Sequence, residues 1–162
     1  MVASGSDKVT MDKSHAVDTS PQLSQDAAIV FALARTAMPF AGSFREEAER
    51  WLRLLRMHGE VGAALQSMGV GEAPLEPASS GGTVAVSRSG GRDVQGTLDL
   101  ICVRCHEFAH GSGADTVGTV HILFAVLSVY GSAFDSELYR RGASRDELFA
   151  RLTRDEALRA TG

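Results

Sequence analysis

The chain has 162 residues, of which 44% are hydrophobic and 22% charged, with a formal net charge of −4. That length and balance suit one globular domain with a real core. They exclude a general affinity for nucleic acid or anionic membranes, and no apolar run approaches the roughly 20 residues that span a bilayer.

Residues 1–20 are polar, rich in Ser, Asp and Lys, and without period, so a disordered leader is expected. They carry no apolar signal-peptide core, which points to a cytoplasmic location. Ser20-Pro21, or Ser24 a turn later, opens a first helix with Leu23, Ala27, Val30, Phe31 and Ala34 on its buried face. Pro39 and Gly42 end it. Ser43-Phe44-Arg45-Glu46 has the spacing of a capping box and starts a second helix that buries Ala48, Trp51, Leu52 and Leu55. Its arginines, Arg45, Arg50, Arg53 and Arg56, mix with Glu46, Glu47 and Glu49, which reads as a solvated face; an anion or partner surface is the other reading. Gly59 stops this helix. A third runs over Glu60–Met68 and ends at Gly69.

Residues 71–92 are rich in Gly, Ser and Pro and read as a linker. A helix then runs from about Val94 to His110, with Leu98, Ile101, Cys102, Cys105 and Ala109 inward and Gly111 and Gly113 at its end. The next stretch, Val117–Gly142, predicts a helix, a tight turn and a second helix. Thr119 is placed to accept from the free N–H groups of the first turn. Ile122, Leu123, Val126 and Leu127 make a buried stripe, and Gly131 and Gly142 supply the stops. Ser144-Arg145-Asp146-Glu147 repeats the capping-box spacing and starts a last helix with Leu148 and Leu152 inward, fraying over 159–162.

The chain also matches itself. ALQSMGV at 64–70 lines up with ELYRRGA at 137–143, and Leu52 with Leu123, at an offset of about 71–73 residues, the mark of an internal duplication.

Cys102-Val103-Arg104-Cys105-His106, followed by His110, is the sharpest local motif. It has the spacing of covalent haem attachment and of zinc ligands. Haem attachment requires export, for which there is no signal, and the apolar neighbours place the thiols in a core. Buried, reduced, metal-free cysteines are expected, and a metal or redox sensor built on Cys102, Cys105, His106 and His110 is the alternative. No phosphate-binding G-x-x-x-x-G-K-[ST] loop and no catalytic triad pattern occurs, so neither a cofactor nor an enzymatic activity is expected.

Val117-Gly118-Thr119-Val120-His121-Ile122-Leu123-Phe124-Ala125-Val126-Leu127, with Gly142-Ala143 at the far end, resembles the N-terminal domain of Clp-family unfoldases of the ClpC and ClpA type. There the pattern is roughly I-G-T-E-H-I-L-L-G-L-I. Leu23 to Ala34 is similar to that family's repeat opening. The resemblance implies an all-α fold of about seven or eight helices, two helical units in pseudo-twofold tandem, here 21–70 and 93–158. It implies a binding domain without the ATPase motor: an accessory factor of a Clp protease, or a decoy that sequesters ligands. Clp subunits, adaptor proteins, peptides and cyclic-peptide antibiotics are the implied partners. The implied ligand residues are Ser43, Glu49, Arg50, Thr119, Val120 and His121, with His121 in a packing and capping role. In the family, glutamates beside the two histidines help bind phosphoarginine. Glu49 holds that place in the first half and Val120 replaces the acid in the second, so weak phosphoarginine binding is expected.

Overall fold

A computed structural model describes residues 20–73 and 93–162. The expected leader, apart from Ser20, and the linker, apart from residues 71–73, lie outside the described residues. About three quarters of the described residues are helical, so the fold is all-α as expected. The helices are α1 (Gln25–Ala37), α2 (Phe44–Arg56), α3 (Gly59–Ser67), α4 (Val94–Gly111), α5 (Thr119–Tyr130), α6 (Ser132–Arg140) and α7 (Arg145–Ala160). A single 3₁₀ turn, Met38–Phe40, carries the chain from α1 toward α2 through Pro39.

The capping signals act as the sequence predicts. Ser24, Ser43 and Ser144 each accept a hydrogen bond from the backbone N–H three residues on, satisfying a first-turn donor that the helix cannot. α5 is the central helix. It packs along α4 and also touches α1, α2, α3 and α6, which is why Ile122, Leu123, Ala125 and Val126 are all fully buried. Trp51 of α2 is sealed in the same core, edge-on to Phe31 at 6.2 Å between ring centroids.

Three expectations need correction. Leu23 is exposed, because α1 starts after Ser24 and residues 22–23 are extended. They form β1 (Gln22–Leu23), which pairs in parallel with β2 (Thr116–Val117). The ladder ties the start of α1 to the chain just before α5, and the Ser24 N–H donates to the Val117 carbonyl at 2.9 Å. Cys102 is only half-buried, whereas Cys105 is fully buried. The arginine face of α2 is solvated only in part, at Arg45 and Arg53, while Arg50 and Arg56 are half-buried. Arg50 donates to the Ala37 and Phe40 carbonyls and Arg56 to the Val70 carbonyl, while Arg45 and Arg53 are ion-paired. Among the described residues no single helix is long and apolar enough to cross a membrane.

Candidate functional site

The start of α5 gathers most of the polar detail. Gly118 is its N-cap and has no side chain to offer. His121, one turn in, makes the reciprocal half of a capping box: its Nδ1 accepts from the Gly118 N–H at 2.9 Å. The capping role expected of His121 is present. Thr119 does something else. It is the first helical residue, almost fully buried, and its Oγ1 accepts at 3.4 Å from the N–H of Val61 in the first turn of α3. Thr119 therefore helps cap α3 rather than its own helix. α3 needs this, because its N-cap, His58, makes no side-chain cap bond. The approach is close enough that Gly59 must be glycine: its φ is +63°, and a Cβ there would meet Thr119 Oγ1 at 2.6 Å.

Beside this junction lies a groove of about 600 Å³, a size that holds a small ligand or one or two side chains of a peptide. α5 contributes Val120, His121 and Phe124; α7 contributes Phe149, Leu152, Thr153, Glu156 and Arg159. The turn after α4 adds Ser112 and Ala114, and α3 adds Glu60. The floor is apolar. Phe124 and Phe149 line it with ring centroids 5.7 Å apart, and Phe108, which is not part of the lining, packs on Phe124 at 5.8 Å, a pairing that an edge-on aromatic ligand can extend. The rim is polar, and an ion pair between Glu60 and Arg159 ties α3 to α7 across it.

Ser112 Oγ lies 3.4 Å from His121 Nε2, which invites comparison with a nucleophile and its base. The hydrogen bonds argue otherwise. Nδ1 accepts from Gly118, so neutral His121 carries its proton on Nε2 and donates toward Ser112. Ser112 spends its own hydroxyl proton on the Ala109 carbonyl at 3.0 Å. Nothing in the pair can remove a proton from the serine. Burial holds the imidazole below its ordinary pKa, against a smaller opposing pull from Glu60, so His121 is a neutral cap on the groove wall.

Of the residues implied by the resemblance, the structure gathers Val120 and His121 in the groove with Thr119 directly behind them. Ser43, Glu49 and Arg50 do not line it. Counting from the N-caps Ser43 and Gly118, the residue in the position of Val120 is Arg45, not Glu49. Glu49 lies in the second turn, where it accepts from Arg53 and Arg141 at 2.8 and 3.3 Å. Cys102, Cys105, His106 and His110 do not converge: among the described residues no group of three or more His, Cys, Asp or Glu side chains could hold a metal ion. His106 Nδ1 instead lies 2.8 Å from the Cys102 carbonyl of its own helix. Burial, reinforced by the nearby Cys102, pushes the Cys105 thiol up, which makes it a poor thiolate donor.

Sequence reasoning missed Phe124, Phe149 and Leu152 as one surface, because α5 and α7 carry them separately. It also missed a buried cluster between α2 and α6. Glu137, wholly inaccessible, accepts from Arg45 Nε at 3.0 Å, Arg140 at 3.0 Å and Arg141 at 2.7 Å. The i, i+4 spacing of Glu137 and Arg141 was a readable signal for one of these pairs. Comparison of the chain with protein-family models, with curated proteins and with solved structures returns no match.

Proposed function

We propose that this chain is a non-enzymatic binding domain, two helical units in tandem after the manner of a Clp N domain, whose α5 groove receives an apolar anchor from a peptide or protein ligand. The groove carries the reading: an aromatic and aliphatic floor, half-open to solvent, with a polar rim, is what recognises one apolar side chain and its flanking backbone.

Recurring local geometry supports the tandem. α3 and α6 are both 9 residues long. Both end on a glycine with φ +77°, Gly69 and Gly142. In each the N–H that follows that glycine reaches back to a leucine carbonyl at 3.0 Å, Val70 to Leu65 and Ala143 to Leu138. The same helix stop also closes α4, at Gly113 with Ala114 reaching back to Ala109, so what supports the tandem is its place after a nine-residue helix in both halves, at an offset of about 73 residues. α2 and α5 precede these helices in the two halves, and both bury their apolar stripe in the shared core. A domain of this kind acts on a Clp protease as an accessory factor or as a ligand-sequestering decoy.

The test is affinity capture from native cell extract with the wild-type chain and with Leu152→Lys, which puts a cation in the groove from a half-buried position. Recovery of Clp subunits or one defined peptide ligand by the wild type, and not by the variant, supports the reading. Equal recovery by both removes the groove from it, and recovery of neither class removes the family assignment.

A further inference from the structure

Arg45, Glu49 and Arg53 recur every four residues and so share one face of α2. Opposite them stand Glu137 and Arg140 of α6 and its C-cap residue, Arg141. Glu137 holds Arg45, Arg140 and Arg141, and Glu49 holds Arg53 and Arg141, so two carboxylates anchor four guanidinium groups. Arg45 and Arg53 remain 59% and 49% exposed, and Arg140 25%. Each meets these carboxylates through one of its three nitrogens, which leaves donors of a rigid fork facing solvent. Two other acids of α2 stand nearby: Glu46, whose carboxylate accepts from the Gly42 N–H at 2.6 Å, and Glu47, which is buried. Buried Glu137 and half-buried Glu49 thus aim the arginines, and with four guanidinium groups on two carboxylates the seam keeps a positive excess on a chain whose net charge is −4.

We infer that this α2–α6 seam docks an acidic peptide segment of a partner, through two carboxylates spaced along it. The spacing selects the ligand. Arg45 and Arg53 are eight residues apart, about 12 Å along the helix, too far for one small anion to bridge. Carboxylates four residues apart on an extended segment span about 13 Å. Each can take a bidentate pair of hydrogen bonds from one fork. The seam shares no residue with the α5 groove, so it is a second contact face whose test does not depend on the first.

The probe is a capped synthetic peptide, Glu-Gly-Gly-Gly-Glu, titrated at low salt by calorimetry or amide chemical shift. Its control has the second glutamate replaced by glutamine, and inorganic phosphate is the second control. The two-glutamate peptide should bind saturably, about tenfold tighter than either control, and weaken with added salt. Arg45→Ala and Arg53→Ala should each reduce its affinity about tenfold, and circular dichroism checks that both variants fold. If either truncation unfolds, Arg45→Lys and Arg53→Lys keep the charge, lose the fork, and should still weaken binding. Absence of saturable binding, equal binding of either control, or affinity unchanged in the arginine variants would overturn the inference.

Discussion

Glu137→Ala is the most informative single change. The glutamate is fully buried and its nearest partner, Arg141, is 1% exposed, with 2.7 Å between them. Without the Glu137 carboxylate, Arg141 keeps the Glu49 carboxylate at 3.3 Å and the backbone carbonyls of residues 137 and 72 at 3.2 and 3.3 Å, while its buried Nε has no hydrogen-bond partner. Arg45 and Arg140 reach solvent, and their pairs with Glu137 contribute little on their own. The cost falls on Arg141, which loses its shortest pair but keeps Glu49, so the loss lies below that of a fully stranded buried charge, at about 1.5–3 kcal/mol for one charged hydrogen-bonded contact. For a domain whose total stability is of order 5–15 kcal/mol, that lowers the melting temperature by roughly 3–12 °C. Trp51, the only tryptophan and wholly buried, reports unfolding by fluorescence. The double variant Glu137→Ala with Arg141→Ala should lose less than the two single losses added together. The pH dependence follows from the same geometry. Burial pushes the Glu137 carboxyl up, but hydrogen bonds from Arg45, Arg141 and Arg140 together outweigh it, so the folded pKa lies below the ordinary 4.5. A depressed carboxyl stabilises fully above its unfolded pKa and loses that contribution as pH falls through the folded value. Glu137→Gln should therefore remove part of the acid-unfolding limb. A loss under about 1 kcal/mol in Glu137→Ala, or an acid limb unchanged in Glu137→Gln, would refute the claim that this pair is a buried charge latch.

Four further outcomes are expected. Gly59→Ala should destabilise by about 1–3 kcal/mol, measured by urea unfolding, because it combines a positive φ with a clash on Thr119; Gly62→Ala should also cost stability, since its Cβ would sit 2.8 Å from the Arg56 carbonyl. For His121 the folded pKa is depressed, so its contribution is complete above the unfolded value of 6.5 and is lost as pH falls through the folded one. His121→Gln keeps an acceptor for Gly118 and should flatten stability over that acidic range, whereas an unchanged pH profile would show that the cap does not titrate. Under native alkylation followed by mass spectrometry, half-buried Cys102 should be modified well before Cys105, and Cys105→Ser should cost about 1–3 kcal/mol; Cys105 reacting first would contradict its burial. Val120→Glu sets a carboxylate in the groove wall at the start of α5, where the helix favours it. It should strengthen phosphoarginine binding roughly tenfold, since a charged hydrogen bond contributes about 1.5–3 kcal/mol, and calorimetry showing no gain would remove the guanidinium logic from this position.

The elements were legible because their signals are local. Ser24, Ser43 and Ser144 declare helix starts, Gly69, Gly131 and Gly142 declare breaks, and a period near 3.6 marks the stripes between them. What escaped depends on residues far apart in the chain. Thr119 reads as an N-cap from its neighbours, but the donor it serves belongs to Val61. Glu49 and Val120 line up in a sequence comparison, yet the position of Val120 on its helix falls to Arg45 once the caps are counted. Arg45 in turn looks solvated until Glu137 arrives from α6. The groove is assembled from α3, α5, α7 and the turn after α4, and no single stretch contains enough of it to be seen.

The central claim is that the α5 groove holds an apolar anchor. The most direct measurement is amide chemical-shift mapping with a peptide selected from a displayed random library against the intact chain. The account predicts selected peptides that share an aromatic or large aliphatic residue, with shifts concentrated on Val120, His121, Phe124, Phe149 and Leu152 and abolished in Leu152→Lys. Peptides without an apolar anchor, or shifts that leave these residues unmoved, would contradict it.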